Sequence, residues 1–149
     1  TLHFIEWIAF VAIVALVEGL DDGHAFLDHP LGDHVRGRLV FDPGIDLGKT
    51  PAESIEVLRR LPELAVLGGP LLVAVSRKDF VGALTGSAPA ARDPGTLAAV
   101  DRVVAGGAEI LRVHDVAGVR DFLAVRGALD GHGPQAGLAL AQHLRREDV

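Results

Sequence analysis

Residues 71–78 read Leu-Leu-Val-Ala-Val-Ser-Arg-Lys, five apolar residues running straight into a hydroxyl and two cations. An apolar run of that length without alternation predicts a strand buried on both faces, the mark of a parallel sheet covered by helices. Upstream, Arg38-Leu39-Val40-Phe41-Asp42-Pro43-Gly44 predicts another short strand ending in a turn. Thr50-Pro51-Ala52-Glu53 predicts a helix start, with Thr50 as cap, Pro51 at the first helical position and Glu53 completing a capping box. Ile55, Leu58 and Leu61 continue it until Pro62 breaks or restarts the helix. Downstream, Asp93-Pro94 opens a helix through Leu97, Val100, Val103 and Val104, which Gly106-Gly107 ends. Glu109 to Val116 (EILRVHDV) predicts a third strand and Val119 to Leu129 a helix. Residues 130–149 form a tail with a Gly/Pro break and a short charged helix.

The unbroken apolar run Trp7 to Val17 (WIAFVAIVALV) predicts a buried or half-buried helix. Eleven residues are too few for a membrane-spanning helix, which needs about 20, and no Lys or Arg precedes the run as in a signal peptide. The order is then helix, strand, helix, strand, helix, strand, helix, so the fold class is α/β with a parallel sheet. Strands recur every 33 to 38 residues, roughly, which suits a doubly wound sheet or a (β/α) barrel of about 250 residues. Three strands cannot close a barrel.

Composition narrows the functional classes. The 149 residues are 49% hydrophobic and 23% charged, near globular averages. A formal net charge of −6 argues against a nucleic-acid partner. Without cysteine there can be no disulfides, thiolate metal sites or cysteine nucleophile, which fits a cytoplasmic location. The chain has no methionine and opens at Thr1, as a processed or partial chain would.

Parallel α/β folds place their chemistry at the carboxyl ends of the strands. Three such ends occur here, and all are polar: Asp42, Ser76-Arg77-Lys78, and Arg112-Val113-His114-Asp115. Strand alternation puts Ser76 with Lys78 on one face, and Arg112 with His114 on one face. Guanidinium, ammonium and imidazole groups at one rim predict an anion site, with phosphate as its guest. Asp42 is the lone carboxylate there and could accept paired N–H donors from a heterocycle. Singly, Asp-Pro-Gly is most often a turn and Ser-Arg-Lys a solvated loop. Arg and His alternating within an apolar strand resist such a reading. Asp22, His24, Asp28, His29, Asp33 and His34 crowd one loop, but their spacing matches no helix or strand face, so a solvated loop outweighs a zinc or nickel site.

Together, Asp42-Pro43-Gly44-Ile45, Gly48-Lys49-Thr50, Ser76-Arg77-Lys78, Gly95-Thr96-Leu97-Ala98-Ala99 and Arg112-Val113-His114-Asp115-Val116 resemble the carboxy-terminal signatures of dihydropteroate synthase. They stand in that family's order over residues 36–129. The resemblance implies a (β/α) TIM-type barrel of which about the last three strand–helix units are present after a preceding helix, in a domain of residues 1–129. It implies a transferase of folate biosynthesis that joins p-aminobenzoate to 6-hydroxymethyl-7,8-dihydropterin pyrophosphate, releasing pyrophosphate, usually with magnesium. Asp42 and Lys78 would contact pterin, Ser76 and Arg77 would line the p-aminobenzoate pocket, and Arg112 and His114 would hold pyrophosphate. Lys78, Arg112 and His114 would carry catalysis, in a cytoplasmic homodimer with no nucleic-acid or membrane partner.

The chain departs from the family where Asp46-Leu47-Gly48-Lys49 replaces the usual Gly-Phe-Gly-Lys, and where Asp79 replaces a small hydroxyl residue. Both changes bring negative charge toward the p-aminobenzoate side. The family's magnesium-holding Asn and its further pterin-pocket Asp and Asn belong to strands that come before those seen here. Two other readings stand beside the enzyme: a non-catalytic paralogue or remnant that dimerises, and another phosphate-binding α/β domain.

Overall fold

Ala12–Ala15 forms strand β1 and Leu39–Asp42 forms strand β2, paired antiparallel with Ala12 opposite Asp42 and Ala15 opposite Leu39. The computed structural model describes residues 12–15, 39–133 and 137–146. The run Trp7–Val17 therefore departs from the expected helix, because its residues 12–15 are extended. A short apolar run is ambiguous between helix and strand, and the β-branched pair Ile13 and Val14 suits a ladder once a partner strand is at hand. The rest of that run lies outside the described residues.

Leu72–Val73 (β3) and Ile110–Leu111 (β4) pair in parallel, Leu72 opposite Ile110 and Val73 opposite Leu111. A parallel bridge between Phe41 and Leu71 joins β2 to β3, and the Phe41 amide donates to the Pro70 carbonyl at 2.9 Å. Three successive strands thus lie side by side in the order β2–β3–β4, as the doubly buried reading of residues 71–75 requires. The ladders are shorter than the apolar runs. The Arg112 amide still donates to the Val73 carbonyl at 3.1 Å. The next available amide, that of His114, donates instead to the Ser76 hydroxyl at 3.2 Å. Backbone pairing ends there because side chains take over the donors.

The helices follow from their caps and apolar spacing. In α1 (Pro51–Arg59) the capping box forms: the Glu53 amide donates to Thr50 Oγ1, and the Thr50 amide donates to Glu53 Oε2 at 2.7 Å. A 3₁₀ segment, Leu61–Leu67, restarts at Pro62, buries Leu61 and Leu64, and stops at Gly68 with φ 71°. α2 (Asp79–Thr85) buries Phe80 and Val81 and closes at Gly86. Its seven residues carry too few periods to stand out in the sequence. α3 (Asp93–Ala105) begins at Asp93-Pro94 as expected and buries Thr96, Ala99, Val100 and Val103. Val57, Leu61, Val73, Val75, Val100 and Val103 are fully buried. Each is worth about 1.5–3 kcal/mol relative to exposure, so the strands and helices are held by this shared core.

The chain divides into two compact units, residues 1–114 and 115–149. The second contains α4 (Val116–Leu129), which starts three residues before the expected Val119 because the Asp115 carboxylate accepts from the Gly118 amide at 2.9 Å. The tail holds a 3₁₀ turn, Gln142–Leu144. Among the described residues no helix is long and apolar enough to cross a membrane.

Gly95, in the first turn of α3, lies where a Cβ would collide with Val81 Cγ1 of α2. Gly95→Ala gains helix propensity of about 1 kcal/mol but overpacks a contact at a cost of about 1–3 kcal/mol. The net expectation is a lower urea midpoint, with partial recovery in Gly95→Ala/Val81→Ala. A midpoint unchanged by Gly95→Ala would contradict the packing of α2 on α3.

Candidate functional site

The site begins where β3 turns. Arg77 is left-handed, at φ 58°, a conformation that costs a non-glycine residue about 1–2 kcal/mol. Four bonds hold it there. Its amide donates to Thr96 Oγ1 at 2.9 Å. Its Nε and Nη2 donate to the two carboxylate oxygens of Asp93 at 2.7 and 2.8 Å. Its carbonyl accepts from Arg92 Nη1 at 3.0 Å. A bidentate charged pair is among the stronger contacts available to a side chain, enough to offset the strain. The turn sends Arg77 toward α3 and turns Ser76 and Lys78 the other way.

Ala74, Ser76, Lys78, Arg112, Val113 and His114 line one cleft of about 170 Å³. Lys78, Arg112 and His114 therefore converge at the strand ends, as expected. The cause is the turn rather than strand alternation, since Val113 also reaches the cleft and 76–78 are not in a strand. Lys78 Nζ donates to the Ile45 carbonyl at 2.7 Å, fixing the ammonium against the loop that follows β2. Ser76 Oγ accepts from the His114 amide and lies 2.8 Å from Nδ1 of the same residue. That double contact locks the imidazole whichever partner supplies the proton. Arg112 lines the cleft and is exposed to solvent.

Asp42 and Arg77 are not among the cleft-lining residues. Asp42 ends β2 nearly buried, and its Oδ1 accepts from the Gly44 amide at 2.8 Å, which shapes the turn. Arg77 is committed to Asp93. Two lysines thus face the loop after β2: Lys78, and Lys49, whose Nζ donates to the Gly44 carbonyl at 3.2 Å. Burial lowers the Lys49 ammonium from its ordinary value, with the carboxylates of Asp42 and Glu53 pulling against it. The carboxylates that depart from the family pattern are paired internally. Asp79 Oδ1 accepts from Arg92 at 2.9 Å, and Asp46 accepts from Ser54 and from the Asp79 amide. Leu47 is 53% exposed. Arg92 escaped the reading of the sequence, as did the bonds made by Asp93, Thr96 and Asp46, because the partners lie 8 to 33 residues away.

No three His, Asp or Glu side chains gather as a metal cradle among the described residues. The crowded Asp/His loop from Asp22 to His34 lies outside them.

Residues 34–114 match the sequence pattern of the family described as pterin binding enzyme. The chain belongs to that family. Within the pterin-binding family it is 46% identical over 93 residues to the dihydropteroate synthase of Synechocystis sp., covering 62% of this chain and 32% of that protein. It is 37% identical over 99 residues to a Mycobacterium tuberculosis protein named inactive dihydropteroate synthase 2, covering 66% and 31%. A solved structure of Xanthomonas albilineans dihydropteroate synthase in complex with 7,8-dihydropteroate superposes with a TM-score of 0.61 at 42% identity, covering 64% and 37%. The chain spans about a third of the length of the curated relatives it matches.

Hydrogen bonding from Arg77, above all, holds the Asp93 carboxyl below its ordinary value of 3.8, and the charges of Arg77 and His114 act in the same direction. A depressed carboxyl stabilises the fold above its ordinary range and loses that contribution as pH falls through the lowered value. The thermal midpoint of the native chain should therefore exceed that of Asp93→Asn at neutral pH, with the gap closing below about pH 4. A gap that persists undiminished to pH 3, or none at pH 7, would remove the Arg77–Asp93 pair from the account.

Proposed function

We propose that this chain carries the pyrophosphate-binding end of a dihydropteroate synthase-like transferase. That enzyme would condense 6-hydroxymethyl-7,8-dihydropterin pyrophosphate with p-aminobenzoate and release pyrophosphate. On this reading β2, β3 and β4 correspond to the last three strands of a (β/α) barrel. The observation that carries it is the convergence of Lys78, Arg112 and His114 on one cleft, with the imidazole locked by Ser76.

The chemistry asked of these groups is electrostatic. The amine nitrogen bonds to the pterin methylene carbon as the carbon–oxygen bond to pyrophosphate breaks; the bonding pair leaves with that oxygen and the amine proton passes to solvent. Negative charge grows on the departing oxygen, where donors already in place stabilise it most. Lys78 and Arg112 would supply the positive charge that offsets it, and His114 would fix the leaving group's orientation. Asp42, at the end of the neighbouring strand, would accept N–H donors of the pterin ring, and Ser76 would border p-aminobenzoate, while the Arg77 guanidinium is taken by Asp93. Magnesium is part of the proposed reaction. The described residues do not fit it, since the cleft is cationic and no carboxylate cluster gathers among them.

A second reading, a family member that binds without turning over, is favoured by the mycobacterial relative that is named inactive. Both readings expect pyrophosphate to bind this chain, with Arg112→Ala weakening it by about 1.5–3 kcal/mol, the scale of a charged hydrogen bond. With p-aminobenzoate, the pterin pyrophosphate and magnesium supplied, the chain alone should show no measurable pyrophosphate release. Turnover abolished by Lys78→Ala would show that these residues suffice; pyrophosphate binding indifferent to Arg112 would overturn the cleft's assignment.

A cytoplasmic homodimer belongs to the same proposal. Val125 and Leu129, four residues apart on α4, are 61% and 82% exposed, an apolar pair that self-association would cover. Sedimentation at tens of micromolar should give a dimer that Leu129→Glu dissociates; a monodisperse native monomer would contradict this.

A further inference from the structure

We propose that Asp46 is a positioning residue: it staples the loop after β2 to the start of α2 and so holds the Lys78 ammonium in the anion cleft. The inference rests on the assignment of that cleft to pyrophosphate and adds a residue that the assignment does not include.

Asp46 sits at φ 64°, in the left-handed region that favours glycine, at the position where the dihydropteroate synthase pattern has glycine. An aspartate tolerates that region better than most residues but gains nothing from it by itself. Both of its carboxylate oxygens are engaged. Oδ1 accepts from Ser54 Oγ of α1 at 3.0 Å, and Oδ2 accepts from the Asp79 amide at 2.6 Å. The Asp46 amide also donates to Ser54 Oγ, at 3.2 Å. Ser54 is completely buried, so this anchor does not move with solvent.

The second half of the arrangement is the neighbouring residue on each side. The Ile45 carbonyl accepts from Lys78 Nζ at 2.7 Å. Residues 45–46 and 78–79 are therefore joined by two bonds, one through the Asp46 side chain and one through the Lys78 side chain. A single bond would leave the two loops free to pivot; two bonds fix their relative orientation. Lysine has among the largest rotamer freedom of any side chain to lose on ordering. Tethering one ammonium donor to Ile45 removes much of that loss before ligand arrives, and leaves two donors for the cleft. If the loop swings away, the tether goes with it.

Pyrophosphate titrations by calorimetry on the 149-residue chain test this through a double-mutant cycle. Asp46→Gly keeps the backbone angle available and removes both carboxylate bonds. It should weaken pyrophosphate by about fivefold to tenfold, the scale of one lost hydrogen bond. In a Lys78→Met background the same change should matter by less than about twofold, because the group it acts through is gone. Asp46→Asn, which keeps one acceptor oxygen, should fall between, and serves the same cycle if the glycine variant melts too low. Amide exchange at Asp79 should quicken in Asp46→Gly. Equal weakening with and without Lys78, or none, would overturn the proposal, since a merely structural residue acts independently of Lys78. Arg112→Ala run alongside separates the two ideas. If it leaves binding intact, or if the native chain binds no pyrophosphate, the cleft assignment falls and this inference with it. If only the cycle is additive, Asp46 alone is wrong.

Discussion

The chain that leaves β3 through Ala74 and Val75 has to turn within two residues, and the left-handed Arg77 is how it does so. That conformation exists only because contacts far along the chain enforce it: Thr96 takes the amide, Asp93 the guanidinium and Arg92 the carbonyl. Once it is in place, Ser76 and Lys78 turn to the side of β4, and a cleft closes around them with Arg112 and His114. The anion site is thus a consequence of how α3 packs. The helix supplies no cleft-lining side chain, yet it sets where those side chains go.

Small residues make that packing possible. Gly95 lets α3 approach Val81, and Gly82 leaves room for the Arg92 guanidinium across the first turn of α2. Arg92, little exposed, then reaches the Ser87 carbonyl, the Arg77 carbonyl and the Asp79 carboxylate together. One guanidinium with several donors in a fixed plane can hold these three acceptors in a geometry that a lysine would not fix. The result separates the charges. Arg77 and Arg92 are paired with Asp93 and Asp79, while Lys78, Arg112 and His114 face a cleft lined by no carboxylate. An anion entering the cleft meets donors whose positive charge is not already balanced by a carboxylate in its wall.

The departures from the family pattern take on a different meaning in three dimensions. In the sequence, Asp46 and Asp79 read as added negative charge beside a site for an anionic substrate. In the fold each is a partner to a group in the protein, Asp46 to Ser54 and the Asp79 amide, Asp79 to Arg92. A carboxylate held by fixed donors acts as a structural brace between the segments it joins.

By itself the sequence determined the class of fold, because a continuous apolar run such as Leu71–Val75 can be satisfied only where both faces are covered. It also determined the start of α1, where Thr50 and Glu53 are three residues apart and need no distant partner. The polar residues at the strand ends were legible for a related reason: Arg112 and His114 break an apolar pattern, although the strand proved to be only Ile110–Leu111 and neither residue is buried. Tertiary structure decided the rest. Ala12–Ala15 became a strand because β2 offered a ladder. Arg77 left the cleft because Asp93, sixteen residues on, drew its guanidinium away. Apolar periodicity and caps are local signals, set by neighbours a few residues off. The direction of a charged side chain is set by whichever opposite charge or backbone carbonyl folding brings within about 3 Å, and that distance is unrelated to separation along the chain.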